Sequence, residues 1–337
     1  MKKILLLGTF FCIAGMLYGQ TFSDAIMMKK KEICFAFMFD QGKWDQYWEG
    51  TTLITNDNIG TFTRNMYMPM IAYGITDKLN VLLVTPYSKT ESTGGQLAGV
   101  QGFQDINIGV KYEAFKKDFG KHRVSALAVV QFATPMTNYL SDYLPYSIGL
   151  GTQEFTGRVI GQYEFSKTVY LRGSAAYVWR GQTQAERPYY YANGSYYTTY
   201  MDVPSAVNYQ AILGGWALKH NLRLEANYTV LNCVSGDDIR RWNMPQPTNK
   251  MEVTQAGFFV QYYLKAFEPL KGFSLMAAYG QVLEGRNMGK STNISGGITY
   301  QFTFNFYNHE KDNYDKLKCC AGYCSRYELR KRFAYVL

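Results

Sequence analysis

The chain has 337 residues, of which 47% are hydrophobic, 16% aromatic and 18% charged. This composition excludes a disordered protein, because disordered chains combine few aromatic residues with much charge. A helical membrane protein is excluded as well, since the longest apolar run, residues 4–17, is shorter than the roughly 20 residues of a spanning helix. The net charge of +9 does not predict nucleic-acid binding, because more than half of it lies in residues 1–19 and 307–337.

The N-terminus has the features of a secretory signal peptide. Lys2 and Lys3 precede the apolar run, and a small residue, Gly19, follows it. We predict cleavage after Gly19, which leaves residues 20–31 as an N-terminal periplasmic or plug segment. An uncleaved membrane anchor is the alternative, but the apolar run is short for a membrane span.

Apolar and polar residues alternate with a period of two in twelve stretches between residues 32 and 306. In the clearest stretch, Ile294, Ile298 and Phe302 share one face, and the other face is mostly polar. A tilted strand crosses a bilayer with about 10 residues, so this stretch is long enough to do so. The predicted strands are 32–40, 61–74, 80–87, 104–114, 123–134, 154–164, 169–180, 207–217, 222–230, 251–264, 273–282 and 294–306.

Short polar turns alternate with long polar loops between these strands. This alternation, with an even number of strands, is typical of outer-membrane barrels. We therefore predict an all-β fold, a closed antiparallel up-and-down transmembrane β-barrel of about 12 strands over residues 32–306. A soluble sandwich or lipocalin-like barrel is the alternative, but it does not explain polar residues on the face that would form its core.

The end of the last predicted strand and the residues after it complete the predicted organisation of the chain. The last strand ends in an aromatic residue, Phe306, which we expect the barrel-assembly machinery to recognise. Outer-membrane lipid is the second predicted partner of the barrel. Residues 307–337 form a basic tail with Cys319, Cys320 and Cys324, which we place in the periplasm without assigning a role. His309 is the only additional ligand near these cysteines, so no metal site is predicted.

Catalysis is not predicted, and neither is a cofactor. Histidine is the side chain best suited to proton transfer near neutral pH. The chain has three histidines, and His122, His220 and His309 fall in predicted short turns or in the tail. A barrel hydrolase would need such a residue in the lumen or in a long loop.

The alternation also predicts which side chains face the lumen. Arginines, lysine and carboxylates are nearly balanced there, which favours a salt-bridged, hydrated interior; the alternative is a constriction that selects polar or anionic solutes. The lumen methionines, with Phe259 and Tyr263, could line a path for an apolar or aromatic solute or pack against residues 20–31. The candidate lumen residues are Arg64, Met66, Met68, Met70, Asp105, Lys111, Glu113, Arg123, Arg158, Arg172, Arg223 and Glu225.

Two neighbouring segments carry a family resemblance. Residues 73–87 read YGITDKLNVLLVTPY, and residues 102–112 read GFQDINIGVKY. They resemble the family of outer-membrane proteins associated with the meta-pathway of phenol degradation, with Gln104 in place of the usual glycine. The resemblance implies a barrel with a suggested role in uptake of aromatic or other hydrophobic compounds. It also implies that Asp105 and Lys111 face the lumen as a fixed internal ion pair.

The predicted function is passive or facilitated uptake of small hydrophobic or aromatic molecules through an outer-membrane channel. The rival interpretation is a non-conducting structural or surface-interaction barrel, in which the tyrosine-rich loop Tyr189 to Tyr200 binds a partner. Both interpretations require export and insertion into the outer membrane.

Overall fold

The computed structural model describes residues 21–240, 242, 244–265 and 270–303. The predicted signal peptide, Phe306 and the tail 307–337 lie outside these residues. The first strands are β1 (Glu32–Trp44), β2 (Gln46–Glu49), β3 (Thr52–Thr55), β4 (Phe62–Thr76), β5 (Leu79–Val84), β6 (Tyr87–Ser92), β7 (Gln101–Phe103), β8 (Asp105–Phe119), β9 (His122–Pro135), β10 (Glu154–Phe165) and β11 (Val169–Arg180). They are followed by β12 (Gln182–Gln184), β13 (Tyr190–Tyr191), β14 (Ser195–Tyr196), β15 (Tyr200–Asp202), β16 (Ala206–Ala217), β17 (Leu222–Cys233), β18 (Glu252–Tyr263), β19 (Phe273–Arg286) and β20 (Thr292–Thr303).

Fourteen of these strands form one antiparallel sheet that closes on itself, because β1 pairs with β20 on one side and with β4 on the other. Two wall strands are interrupted: β5 continues into β6, and β7 continues into β8. At the interruption Pro86 has no N–H to donate, but its carbonyl accepts a hydrogen bond from Gln104 N (2.9 Å). The wall therefore has twelve strands, and the prediction of a closed antiparallel barrel is confirmed.

The outer face of the wall is apolar and the inner face is more polar, which is the pattern expected of a barrel with lipid outside and water inside. On β1, Phe35 and Phe37 are about half exposed on the outer face, whereas Cys34 and Asp40 are buried on the inner face. Inward and outward positions alternate in the same way on β4, β10, β11 and β17. No helix among the described residues is long and apolar enough to cross a membrane.

The wall is joined by short turns at one end and long loops at the other, here called the short-turn end and the long-loop end. β1 reaches further toward the long-loop end than predicted, because Lys43 and Trp44 still pair with β4. The long loops contain the small hairpins β2–β3, β12–β15 and β13–β14. The turns are 77–78, 120–121, 166–168 and 218–221, and β18 and β19 are connected at the same end. The loops are 45–61, 93–100, 136–153, 181–205 and 287–291, together with the connection from β17 to β18, of which residues 234–240, 242 and 244–251 are described.

Candidate functional site: the barrel lumen

All twelve candidate residues occupy inward-facing positions of the wall. Those on β4 alternate with the outward-facing, exposed Tyr67, Ile71 and Tyr73. Those on β8 alternate with the exposed Ile108, Val110 and Tyr112 in the same way. Those on β9, β10, β11 and β17 follow the parity of their own strands. Their placement in the lumen is an observation; their roles in selectivity remain predictions.

The lumen has two chemically different faces. Strands β4, β1 and β19 contribute a methionine face that consists of Met38, Met66, Met68, Met70 and Met276. Strands β10, β11, β16 and β17 contribute a polar face that consists of Arg158, Ser174, Asn208, Gln210 and Thr229. In a closed ring of twelve strands β1 lies opposite β11, so the methionine face and the polar face are on opposite sides of the lumen.

Arg158 is the charged group of the polar face. Its Nη1 donates to Ser174 Oγ (3.1 Å) and to Asn208 Oδ1 (3.2 Å), so both of these contacts are with neutral groups. On the adjacent strands Gln210 Nε2 donates to Thr229 Oγ1 (3.3 Å). This face therefore offers amides, hydroxyls and one guanidinium to whatever occupies the lumen.

Residues 21–31 lie inside the lumen near the short-turn end, where they are held by Lys111. The Lys111 side chain is fully buried, and its Nζ donates to both Asp24 Oδ1 and the Asp24 carbonyl at 2.9 Å. It also donates to the Thr21 carbonyl. The expected ion pair between Asp105 and Lys111 is wrong, because positions six residues apart on one strand are separated by about 20 Å.

Apolar contacts hold the same segment from two sides of the barrel. Phe22 belongs to both contact groups and bridges the two sides. On one side the fully buried Met28, with Ile26, packs against Cys34, Ala72 and Leu82. On the other side Ala25 and Met27 pack against Leu127, Val129 and Ile160.

The segment leaves the lumen beside the turn between β4 and β5. Lys31 N donates to the Gly74 carbonyl (2.8 Å), and Lys30 N donates to Asp77 Oδ1 (2.9 Å). Gly74 has to be glycine here, because a Cβ at this position would overlap the Lys29 carbonyl. The exit of the segment is thus fitted to the wall at backbone level.

A second buried charge cluster lies at the same end of the lumen. Glu225 Oε1 accepts hydrogen bonds from Arg172 Nη2 (2.9 Å) and Arg223 Nη2 (2.7 Å). The Tyr170 hydroxyl donates to the same oxygen. In this cluster each buried charge therefore has a partner of opposite sign.

At the long-loop end the loop 136–153 folds inward over the lumen. Tyr146 is fully buried; its carbonyl accepts from Thr90 Oγ1 (2.8 Å), and its hydroxyl lies 2.7 Å from Ser92 Oγ. The Tyr139 hydroxyl donates to Asp105 Oδ1, which is the actual partner of this predicted site residue. Burial raises the pKa of the Tyr139 hydroxyl, so it stays protonated and acts as a donor.

The inward-folded loop is tied to its neighbour, the loop 181–205. Thr183 Oγ1 donates to Ser141 Oγ (2.8 Å), and both residues are buried. Arg187 Nε donates to Asp142 Oδ2 (2.9 Å). The two loops therefore form one connected cover at this end.

Several residues of the site were not predicted from the sequence, among them Asp24, Met38, Tyr139 and Met276. Met38 and Met276 are inward-facing positions of predicted strands, so the same alternation that identified Met68 could have found them. Asp24 and Tyr139 lie in segments without periodicity, and only tertiary contacts bring them into the lumen.

Known structures with a similar fold are outer-membrane proteins. The crystal structure of an outer membrane channel from Pseudomonas putida F1 matches with a TM-score of 0.64 and 12% identity, over 82% of this chain and 97% of that chain. The chain therefore has the same fold as that channel, a closed antiparallel β-barrel. At this identity the likeness concerns the fold alone.

Two further matches have lower TM-scores. The NanC porin matches at 0.45, with 8% identity over 78% of this chain and 98% of that chain. The translocator domain of the autotransporter NalP from Neisseria meningitidis matches at 0.40, with 12% identity over 81% of this chain and 88% of that chain. No protein-family model matches the barrel, and no curated protein matches it either.

Proposed function

We propose that this barrel is an outer-membrane channel through which small hydrophobic or aromatic molecules diffuse, without chemistry on the solute. The observation that carries the proposal is the pair of opposed lumen faces. Polarisable thioethers contact aromatic rings favourably, and the amides, hydroxyls and guanidinium of Arg158 can hydrogen-bond a polar substituent of the same solute. A ring with one polar group, such as a phenol, fits both faces at once.

Passage requires movement at both ends of the lumen. A solute that enters from the long-loop end meets the inward-folded loop 136–153 first and then passes between the two faces. At the short-turn end it meets residues 21–31. We therefore expect a channel of low conductance that opens when the loop or the segment shifts.

Uptake measurements test this proposal. Liposomes that contain the purified protein are expected to admit phenol faster than protein-free liposomes do. Met68→Gln, which adds a polar amide to the methionine face, is expected to reduce this protein-dependent phenol uptake several-fold. Met244→Gln, at an exposed loop position, is the control. A protein that never conducts in a planar bilayer, under any voltage or ligand, contradicts the channel.

A second candidate function is binding of a partner at the surface by a non-conducting barrel. The observation in its favour is a pair of exposed aromatic residues on two neighbouring loops: Tyr197, between β11 and β16, is 85% exposed, and Trp242, between β17 and β18, is 67% exposed. The Arg240 guanidinium lies 5.9 Å from the rings of both Tyr191 and Trp242. A barrel that stays closed even when residues 21–31 are deleted would favour this candidate over the channel.

Export and insertion belong to the same proposal. N-terminal sequencing of the mature protein is expected to begin at Gln20, and the folded barrel is expected to migrate faster on a gel before boiling than after. Deletion of Phe306 is expected to reduce the amount of barrel in outer-membrane fractions if the last strand is recognised by the barrel-assembly machinery. Deletion of residues 307–337 tests whether the tail contributes.

A further inference from the structure

The methionine face contains more sulfur than an apolar wall requires. Met66, Met68 and Met70 occupy alternate positions of β4, so their side chains share the lumen face at steps of about 6.7 Å. Met38 on β1 is the direct cross-strand partner of Met68. Directly opposed residues have Cβ atoms about 5 Å apart, so the two side chains leave the wall next to each other on the lumen face.

A fifth thioether reaches the same place across a glycine. Gly297 on β20 is the partner of both Met38 on β1 and Met276 on β19. The Met276 Cε methyl lies 3.2 Å from the position that a Cβ would occupy at Gly297. Because Gly297 has no side chain, the end of Met276 extends over β20 toward Met38.

Further polar and sulfur groups continue this row in both directions along the lumen. Asp40 is the partner of Met66; it is buried and accepts a hydrogen bond from Ser295 Oγ (2.7 Å). Toward the short-turn end, Cys34 is the partner of Ala72, two positions beyond Met70 on β4, and packs against Met28. A carboxylate thus stands at one end of the row and a thiol with a thioether at the other.

Apolarity alone does not account for these residues. Other inward-facing apolar positions of the wall carry Leu82, Leu127, Val129 and Ile160, whose rotamers are better defined than those of methionine. Sulfur is concentrated on one face, although any of these aliphatic residues would make an equally apolar surface. Thioether sulfur differs from them in being a soft metal ligand.

We propose that Met38, Met66, Met68, Met70 and Met276 form a binding site for a soft monovalent cation of the Cu(I) class. Neutral thioethers select soft ions over Na⁺, Mg²⁺ or Ca²⁺, which prefer oxygen. Two sulfurs on one ion lie no more than about 4.6 Å apart, given metal–sulfur bonds of about 2.3 Å. The three rotatable bonds of methionine allow neighbouring side chains on this face to meet that distance.

Charge and access agree with this assignment. Asp40, at the long-loop side of the row, provides a negative charge that favours a cation entering the lumen. Met66, Met68 and Met70 occupy lumen-facing positions and are only partly buried. The inference goes beyond the channel proposed above, because a cation can bind this face whether or not the barrel conducts.

Binding of Ag(I) to the full-length barrel in detergent tests the site. Ag(I) has the charge and sulfur preference of Cu(I) and needs no reductant. The test variant is Met66→Leu, Met68→Leu and Met70→Leu combined, because leucine keeps the volume and apolarity of methionine. We expect the triple variant to carry one fewer tightly bound Ag(I) per chain than wild type. We also expect X-ray absorption spectra to show an Ag(I) ion coordinated only by sulfur in wild type and not in the variant.

The matched control carries Met136→Leu, Met244→Leu and Met288→Leu, three changes in the long loops. All cysteines are retained in every protein, so any silver they bind cancels in the comparison. Circular dichroism and heat-modifiable migration confirm that both variants are folded. Equal Ag(I) stoichiometry and affinity in the two variants would overturn the cation site, and conductance measured on the same samples reports on the channel separately.

Discussion

The two ends of the lumen are covered by different kinds of contact. At the short-turn end, residues 21–31 are held by the Lys111–Asp24 pair, whose side chains are almost completely buried. At the long-loop end, the loop 136–153 is held by hydroxyl hydrogen bonds of Tyr139 and Tyr146 and by the partly exposed Arg187–Asp142 pair.

This difference determines how easily each end opens. Separating a buried ion pair leaves a charge without a partner in a low-dielectric environment, which costs about 3–5 kcal/mol. Breaking a hydrogen bond of a hydroxyl group costs about 1–3 kcal/mol when a buried partner is left unsatisfied, and less when water replaces it. We therefore expect the loop to move first and the segment to move rarely.

Asp24→Asn is expected to have the largest effect. It leaves the buried Lys111 ammonium without a carboxylate, and the release of residues 21–31 is favoured by about 3–5 kcal/mol. Conductance should rise, and trypsin should cleave at Lys29 to Lys31. The double variant Asp24→Asn with Lys111→Met removes both charges and should recover most of the closed state; an Asp24→Asn barrel as tight as wild type contradicts the assigned role of the pair.

Gly74→Ala tests the short-turn end through packing alone. The added Cβ overlaps the Lys29 carbonyl, so residues 29–31 must shift, at a cost of about 1–3 kcal/mol. We expect more frequent openings in single-channel records and faster proteolysis after Lys31. Gly161→Ala, where a Cβ has no neighbour within 4 Å, is the control and should behave as wild type. Identical opening frequencies in both variants would show that this exit does not restrain the segment.

Tyr139→Phe tests the long-loop end. The change removes the hydroxyl that donates to Asp105 and accepts from Gly151 N (3.0 Å), and we expect a cost of about 1–3 kcal/mol to the inward-folded loop. Rapid flickering of the open current should increase several-fold. Tyr143→Phe removes a hydroxyl bonded to the exposed Ala98 carbonyl and should change little. Equal flickering in the two variants would count against the cover.

The smallest expected effect is a loosening of the Asp238–Arg286 contact at acidic pH. Hydrogen bonds from Arg286 lower the pKa of Asp238, in the loop 234–251, to about 2. Because this value is below the ordinary 3.8, the contact contributes stability above about pH 4 and loses it as the pH falls toward 2. Quenching of Trp fluorescence by acrylamide should increase over that range. In the Asp238→Asn variant, acrylamide quenching of Trp fluorescence should be the same at both ends of this pH range. If the variant keeps the acid transition, groups other than Asp238 cause that transition.

Much of the wall could be predicted from the sequence. The period of two identified twelve strands, and the same alternation assigned Lys111, Arg158 and Glu225 to the lumen, because side chains of a strand point to opposite faces in turn. Strand ends were less accurate, since polar residues such as Lys43 read as loop although they still pair.

Pairing between side chains could not be predicted in the same way. Asp105 and Lys111 share a strand and a face, which suggested an ion pair, yet their actual partners are Tyr139 and Asp24. Both partners lie in segments without periodicity, whose positions depend on the closed barrel around them. A buried charge indicates that a partner exists, but it does not say which segment supplies it.

The amino-acid sequence by itself determined the barrel, its number of strands and the side chains that face inward, because backbone hydrogen bonding in lipid leaves a closed sheet as the only arrangement for alternating strands. Only the tertiary structure decided what fills the lumen. Closure sets the methionines of β4, β1 and β19 opposite the amides and hydroxyls of β10, β11, β16 and β17, and it places residues 21–31 beside Lys111. These contacts join residues far apart in the chain, so the local alternation of apolar and polar residues cannot predict them.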